Sequence, residues 1–237
     1  MENLKHDSPY LDNPRPEMLA LIPASVQRLL DVGCHTGQFG FAVKIKYDAE
    51  VWGIEPNPET ANIAVQYLDR VFQGNFCEDL DLPEQYFDVI SFNDVLEHLP
   101  DPWAALRLAA GKLKTGGRIV ISLPNFRHID NLLHILKDKD FNYEPEGIRD
   151  KTHLRFFTRK SAPKILSGTG LKLVELKGIN QSWWTPSLVR RVAYRFFPTY
   201  LEDTKYVQYA IVAELAQEGA VRPSESGSLA LDHGSTG

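Results

Sequence analysis

The sequence predicts an α/β fold with a doubly wound, mostly parallel sheet, and two observations support this fold class. Short apolar strands alternate with helical segments between residues 29 and 123, as in a sheet whose strands are joined by helices. The first of these strands, Leu29–Val32, passes through a glycine-containing turn directly into an apolar helix. A chain of 237 residues can form one such domain with insertions.

The composition is that of an ordinary globular protein. Apolar residues make up 43% and charged residues 24% of the chain, and no apolar run approaches the roughly 18 residues that a membrane span needs. The net charge of −5 argues against nucleic acid as the main partner. Cys34 and Cys77 provide no disulfide framework, and residues 1–12 contain no signal-peptide core. We therefore expect a cytoplasmic protein.

The turn after the first strand is the feature around which the chain is organised. It follows Asp31 and contains Gly33, Gly37 and Gly40. A strand that turns tightly into a helix points backbone N–H groups and the positive end of the helix dipole at a ligand. The dinucleotide pattern G-x-G-x-x-G does not fit, because these three glycines have the wrong spacing and the second glycine of the pattern is absent, with His35 nearby. Histidine tolerates a positive φ better than most residues, so the turn can still form.

The second predicted strand, Glu50–Glu55, ends in a candidate ribose ligand. Glu55 comes 22 residues after Gly33, close to the offset of about 20 at which an acidic residue meets a ribose hydroxyl. A carboxylate can accept strong hydrogen bonds from both vicinal hydroxyls. An exposed glutamate at a strand end is the alternative. Asn57 and Pro58 then begin a helix as its N-cap and first residue.

Three more strands complete this part of the pattern, at residues 71–73, 86–92 and 118–123. The segment 86–92 (YFDVISF) is predicted as a buried central strand, and it runs directly into Asn93. Asp101 begins the following helix, in which apolar residues recur at helical spacing. The repeated strand–helix order predicts that the carboxyl ends of these strands share one edge of the sheet.

Taken in order, these motifs resemble those of class I S-adenosylmethionine-dependent methyltransferases over about residues 10–178. Asp31, Gly33 and Gly37 match that family's acidic residue and G-x-G-x-G motif, with His35 at the middle glycine. The resemblance implies a Rossmann-like methyltransferase fold of seven strands, with an antiparallel last strand and S-adenosylmethionine as cofactor. The cofactor-binding residues that it implies are Asp31, Gly33, His35, Gly37, Glu55, Asn75, Phe76 and Asn93.

The resemblance also implies individual roles. Asn75 stands where the family commonly has an acid that meets the adenine amino group, and its amide oxygen can accept the same hydrogen bond. Phe76 can pack on the adenine ring, with an ordinary loop as the alternative for both residues. Asn93 ends the strand that faces the transferable methyl group. Tyr10 and Arg15 precede the first strand and either face the site or lie on the surface.

One domain is predicted over residues 1–217, followed by a disordered Gly/Ser-rich tail at 218–237. Two segments, about 124–158 and 180–205, depart from the minimal fold and are predicted as an inserted helical and aromatic cap. The second contains Trp183 and three arginines but no acid between residues 181 and 200. We expect it to form a wall of the acceptor site or the interface of a homodimer, with plain packing as the alternative. Membrane attachment through three arginines at about 1 kcal/mol each would be marginal.

Two histidines are candidate general bases. His153 lies in the first cap segment and is the preferred candidate, and His98 follows the strand that ends at Asn93. A positioned base contributes about 10²–10⁴-fold to a rate, although a single histidine is more often structural. The sequence shows no Cys/His cluster, so no metal site is predicted.

The predicted function is S-adenosylmethionine-dependent methyl transfer to a small-molecule acceptor, through a hydroxyl. The run H-x-R-F-F at residues 153–157 resembles that of methyltransferases associated with sugar and surface-polysaccharide synthesis. A non-catalytic cofactor-binding partner protein of the same fold is one alternative. An NAD-dependent oxidoreductase is the other, although the glycine spacing disfavours it.

Overall fold

The computed structural model describes residues 14–181 and 187–216, and a seven-stranded sheet runs through them. The strands are β1 (Arg28–Val32), β2 (Glu50–Glu55), β3 (Arg70–Gln73), β4 (Phe87–Asn93), β5 (Leu113–Pro124), β6 (Leu171–Ile179) and β7 (Gln208–Leu215). Their order in the sheet is β3-β2-β1-β4-β5-β7-β6. The first five pair in parallel, whereas β7 pairs antiparallel with both β5 and β6. The predicted fold class is confirmed.

Helices flank the sheet, and two of them begin at the predicted caps. They are α1 (Pro16–Leu19), α2 (Gln38–Tyr47), α3 (Pro58–Ala64), α4 (Pro102–Lys112), α5 (Ile129–Asp138), α6 (Leu188–Phe196) and α7 (Pro198–Leu201), with 3₁₀ turns at Ala162–Leu166 and Glu202–Lys205. The side chain of Asn57 accepts the N–H of Glu59 at the start of α3. Asp101 accepts the N–H of Ala104 at the start of α4. Each such cap stabilises its helix by about 1 kcal/mol.

Successive side chains of the central strands point to opposite faces of the sheet, so the core is divided into two layers, one on each face. On one face Leu30, Ile90 and Ile119 pack with the apolar side of α4. On the other, Leu29 and Val89 pack with α1 and α2. All five side chains are fully buried. These two layers fix the strands in the sheet, so the residues at the strand ends stand in defined positions.

The centre of the sheet contains a topological switch point. β1 and β4 lie side by side, and the chain continues from β1 to β2 and β3 on one side and from β4 to β5 on the other. In open α/β sheets, ligands bind outside the carboxyl ends of the strands at such a point. Asp31 and Asn93 lie at those ends of β1 and β4.

The second cap segment holds α6, which contributes no buried side chain. This helix is therefore not packed core, and Arg190 joins it to Asp130 of α5. The predicted tail at 218–237, together with Tyr10, Trp183 and Trp184, lies outside the described residues, so the domain boundaries stay predictions. Among the described residues, no helix has the length and apolar character to cross a membrane.

Candidate cofactor and acceptor site

A cavity of about 830 Å³ opens at the carboxyl ends of β1, β2 and β4. Its volume lies within the roughly 300–1,000 Å³ of typical small-molecule sites. Eight of the ten predicted site residues line it: Asp31, Gly33, His35, Glu55, Asn75, Phe76, Asn93 and His98. Gly37 precedes α2 as its N-cap, and His153 packs against His98 without lining the cavity. The residues thus share one site, while their individual roles stay predictions.

The turn between β1 and α2 depends on a left-handed backbone at three positions. The φ angle is 74° at Gly33, 50° at His35 and 81° at Gly37. A side chain at Gly33 would also collide, because its Cβ would stand 2.5 Å from Cγ2 of Val95. The N–H of Gly33 donates to the carbonyl oxygen of Ile54 at 2.8 Å, which ties the turn to β2. The turn therefore forms with histidine in place of the middle glycine, as expected.

Glu55 holds two loops of the site together. One carboxylate oxygen accepts the backbone N–H of His35 at 2.9 Å, and the other accepts that of Asn57 at 2.9 Å. Only 7% of the residue is exposed. A carboxylate has about four acceptor positions, so each oxygen retains one for a ribose hydroxyl. The structural role was not predicted, because neither N–H can be assigned to Glu55 from the sequence.

Asp31 is a buried acid in the wall of the cavity. Its carboxylate accepts the hydroxyl of Ser91 at 2.8 Å. Burial raises the pKa of Asp31 to about 7, against the opposing effects of the Ser91 hydrogen bond and the positive charge of Arg15. Nearby Glu55 raises this pKa further. Binding of a cation in the cavity would favour the ionised form of Asp31.

Arg15 and Asp94 form a polar network beside the cavity, which both residues line. Arg15 donates to Asp94 at 2.7 Å, and Gln208 of β7 donates to the same carboxylate at 2.6 Å. Ser122 of β5 donates to the other carboxylate oxygen at 2.8 Å. The network joins α1, β4, β5 and β7. Of the two alternatives for Arg15, the structure supports the one that faces the site.

Asn93 provides the test of whether these residues fit S-adenosylmethionine. Both polar atoms of its amide are buried: the nitrogen lies near Asp31 and helps to lower the pKa of that acid, while the oxygen has no hydrogen-bond partner among the described residues. Buried polar groups are normally satisfied, so unmet bonds at a cavity wall point to a polar ligand. Phe76 offers an aromatic surface in the same cavity and packs edge-on against Phe92, with ring centroids 5.9 Å apart. With the acceptor positions of Glu55, these groups fit a nucleoside cofactor.

The two predicted bases meet at an acid that the sequence analysis did not single out. The ring centroids of His98 and His153 are 4.6 Å apart, and Nε2 of His153 lies 3.9 Å from Oε1 of Glu97. Glu97 is fully buried, and burial, followed by the charge of Asp94, raises its pKa well above the usual range. Burial, followed by His98, lowers the pKa of His153. The adjacent letters Glu97-His98 were the only sequence signal for this cluster.

The comparisons with known proteins agree with this geometry. A family model described as "Methyltransferase domain" matches residues 5–176. A ubiquinone biosynthesis O-methyltransferase of Coxiella burnetii is 27% identical over 161 residues, which cover 65% of this chain and 67% of the relative. A protein of the same name from Aeromonas salmonicida is 28% identical over 162 residues, or 65% of this chain and 66% of the relative. The chain thus spans about two thirds of these relatives.

Solved structures share the fold. A SAM-dependent methyltransferase from Archaeoglobus fulgidus has a TM-score of 0.64 at 22% identity and covers 87% of this chain and 94% of its own. A SAM-dependent methyltransferase from Aquifex aeolicus has a TM-score of 0.56 at 15% identity, and the match covers 89% of this chain and 95% of the Aquifex chain. The family match covers more than half of the chain and leaves no support for an oxidoreductase. The protein belongs to the methyltransferase-domain family of class I enzymes, with S-adenosylmethionine as cofactor.

Proposed function

We propose that this enzyme methylates a hydroxyl group of a small molecule. One observation carries the proposal: the cavity lined by the predicted cofactor residues continues to His98 and to Pro145, Glu146 and Asp150 of the first cap segment. A cofactor and an acceptor thus have room to meet in one cavity. The names of the O-methyltransferase relatives support oxygen as the acceptor atom.

The reaction is an in-line displacement. Bound S-adenosylmethionine supplies a methyl group on a positively charged sulfur, which leaves with the electron pair of the broken S–C bond. The acceptor oxygen forms the new O–C bond and loses its proton. The protein mainly aligns the two partners, and well-oriented intramolecular reactions reach effective molarities of roughly 10⁵–10⁸ M. Removal of the proton adds about 10²–10⁴-fold.

We assign removal of the proton to the cluster of Glu97, His98 and His153 as a unit. His98 lines the cavity, whereas His153 lies against His98 and Glu97. The geometry therefore favours His98 over His153 as the group nearest the acceptor, the reverse of the order expected from the sequence. His153 acts through its neighbours in this proposal.

The acceptor that we favour is hydroxyl-rich, such as a sugar or a precursor of a surface polysaccharide. Glu146, Asp150 and His98 give the cap side of the cavity a polar character. Carboxylates and imidazoles match sugar hydroxyls well. A phenol related to ubiquinone precursors is the second candidate acceptor, because the relatives are named ubiquinone biosynthesis O-methyltransferases.

We further propose a cytoplasmic homodimer. The two cysteines, Cys34 and Cys77, form no disulfide, which fits a reducing compartment. The helix α6 exposes Leu188, Val189 and Phe196, at 76%, 77% and 71%, as an apolar face for a second copy. The mass of the protein in solution, measured by light scattering, tests this part: a monomer at all concentrations contradicts it.

Turnover with a labelled methyl donor tests the proposed reaction. The protein is incubated with S-adenosylmethionine and separate panels of nucleotide-linked sugars and of catechol-type phenols. We expect label in a base-stable methyl ether of one panel. Label in an amine or a base-labile ester would contradict oxygen methylation of a hydroxyl.

A further inference from the structure

We propose that Glu97, His98 and His153 bind one divalent transition-metal ion of the zinc type beside the acceptor end of the cavity. A carboxylate oxygen and one nitrogen of each imidazole lie within 4.8 Å of one another. The binding itself follows from these residues alone. Its consequence for the acceptor hydroxyl rests on the proposed function.

Glu97 lacks the partner that a buried carboxylate needs. The residue is 0% exposed, and among the described residues neither carboxylate oxygen has a hydrogen-bond partner. The ring nitrogen Nε2 of His153 lies 3.9 Å from Oε1 of Glu97, which is too long for a hydrogen bond. Burying an unpaired carboxylate is expensive, and proteins pair such a group or use it to coordinate a metal.

The hydrogen bonds of His153 turn a lone pair toward this carboxylate. Nδ1 of His153 lies 3.2 Å from the carbonyl oxygen of Ile148. A carbonyl oxygen only accepts, so Nδ1 carries the proton and Nε2 the lone pair. The atom that faces Glu97 is therefore a lone-pair donor, as the carboxylate oxygen is. The two atoms repel each other unless a proton or a metal ion lies between them, and the three-donor geometry favours the metal ion.

The tautomer of His98 is set in the same way. The hydroxyl of Thr152 lies 2.6 Å from a carboxylate oxygen of Asp150 and 2.9 Å from Nδ1 of His98. The hydroxyl donates its single hydrogen bond to the carboxylate, so it accepts a hydrogen bond from the N–H at Nδ1 of His98. Nε2 of His98 is then left with its lone pair. Backbone carbonyls and carboxylate-linked groups that orient histidines in this way are typical of metal sites.

The donor set indicates which metal. Two imidazoles and one carboxylate suit zinc and its neighbours, whereas magnesium and calcium prefer oxygen ligands. Around a tetrahedral ion at about 2.1 Å, donor atoms stand about 3.4 Å apart, so the three side chains need to close by roughly 0.7 Å each. Three protein ligands leave a fourth position open, as in catalytic zinc sites. His98 places the cluster at the wall of the cavity.

The segment that carries His153 is anchored to the turn that carries the other two ligands. The N–H of Leu154 donates to the carbonyl oxygen of Glu97 at 2.9 Å. Arg155 donates to the carbonyl oxygens of Leu99 and Pro100. These bonds hold the donors together in the protein before an ion binds. An acceptor hydroxyl that takes the open position would lose its proton more readily, since a bound metal lowers the pKa of its oxygen ligands.

Metal titration of the chelator-treated protein tests the proposal. Co²⁺ serves as the probe, because its visible absorption reports tetrahedral coordination, and Zn²⁺ competes for the same site. We expect one ion per chain, and Kd should rise about 100-fold or more in Glu97→Gln and in His153→Ala. His134→Ala is the matched control, because His134 pairs with Asp138 on α5, and it should bind as the wild type does.

Thermal unfolding provides a second readout that does not depend on turnover. Glu97→Gln removes no hydrogen bond that the described residues make, so it should fold, and Zn²⁺ should raise Tm of the wild type but not of this variant. Absence of a bound ion in the wild type, or equal binding in Glu97→Gln, overturns the proposal and leaves a proton shared by Glu97 and His153. Cofactor titration is run in parallel, so a failure of the proposed function is seen separately.

Discussion

Replacement of Glu55 by glutamine separates the two roles of this residue. In the empty protein the carboxylate accepts two backbone N–H groups, from His35 and Asn57, both at 2.9 Å. Glutamine keeps one acceptor but turns an NH₂ group toward the other N–H. The loss of one charge-assisted bond is about 1.5–3 kcal/mol. Since 1 kcal/mol corresponds to about 2–4 °C in a chain of this size, Tm should fall by roughly 3–12 °C.

Cofactor affinity should fall as well, because a neutral amide also replaces one acceptor for the ribose. That change corresponds to a rise in Kd of about 10- to 100-fold, measured by calorimetry at a temperature where the variant is folded. Glu50→Gln is the matched control: Glu50 begins the same strand and accepts from Trp52 and Tyr86. It should lose stability without losing affinity. A Glu55→Gln variant with lowered Tm but wild-type affinity would show that Glu55 only joins the loops.

Three further predictions concern the walls of the cavity. The native pKa of Asp31 is about 7 against about 3.9 when unfolded, so its stabilising contribution is complete below about pH 4 and is lost as pH rises through 7. Between pH 5 and 8, Tm of Asp31→Asn should therefore fall less than Tm of the wild type, and parallel curves of Tm against pH would refute the raised pKa. His35→Gly retains the N–H that donates to Glu55, so Kd for the cofactor should not rise, and weaker binding would show that the imidazole contacts the cofactor. Gly33→Ala should abolish cofactor binding, because the added Cβ would collide with Val95 at a left-handed position. Arg15→Ala removes the cation beside Asp94 and should lower the free energy of unfolding by about 2 kcal/mol. The stability of Arg15→Lys should lie between that of Arg15→Ala and that of the wild type, and an unchanged Tm in Arg15→Ala would contradict a stabilising role of the network.

The features that the sequence predicted correctly are those set by local pattern. The strand–helix alternation, the turn at Gly33 and the caps at Asn57 and Asp101 each depend on a few neighbouring residues. The parallel arrangement follows from that alternation, because a helix between two strands returns the chain to the same edge. The strand ends therefore met at one cavity as expected.

Features that depend on distant contacts were not predictable in the same way. Glu97 and His153 come together because the loop after α5 folds back onto the turn after β4, through bonds such as that from the N–H of Leu154 to Glu97. No periodicity or cap in the sequence encodes that contact. The second function of Glu55, as an acceptor for two loops, likewise depends on the positions of backbone N–H groups.

A crystal structure with S-adenosylhomocysteine, the product of the cofactor, tests the central claim most directly. The account predicts density in the cavity between the turn at Gly33 and the end of β4. The ribose hydroxyls should lie within hydrogen-bonding distance of Glu55, and the sulfur should lie near Asn93, on the side that leads to His98. Density elsewhere on the protein, or a ribose out of reach of Glu55, would contradict the account.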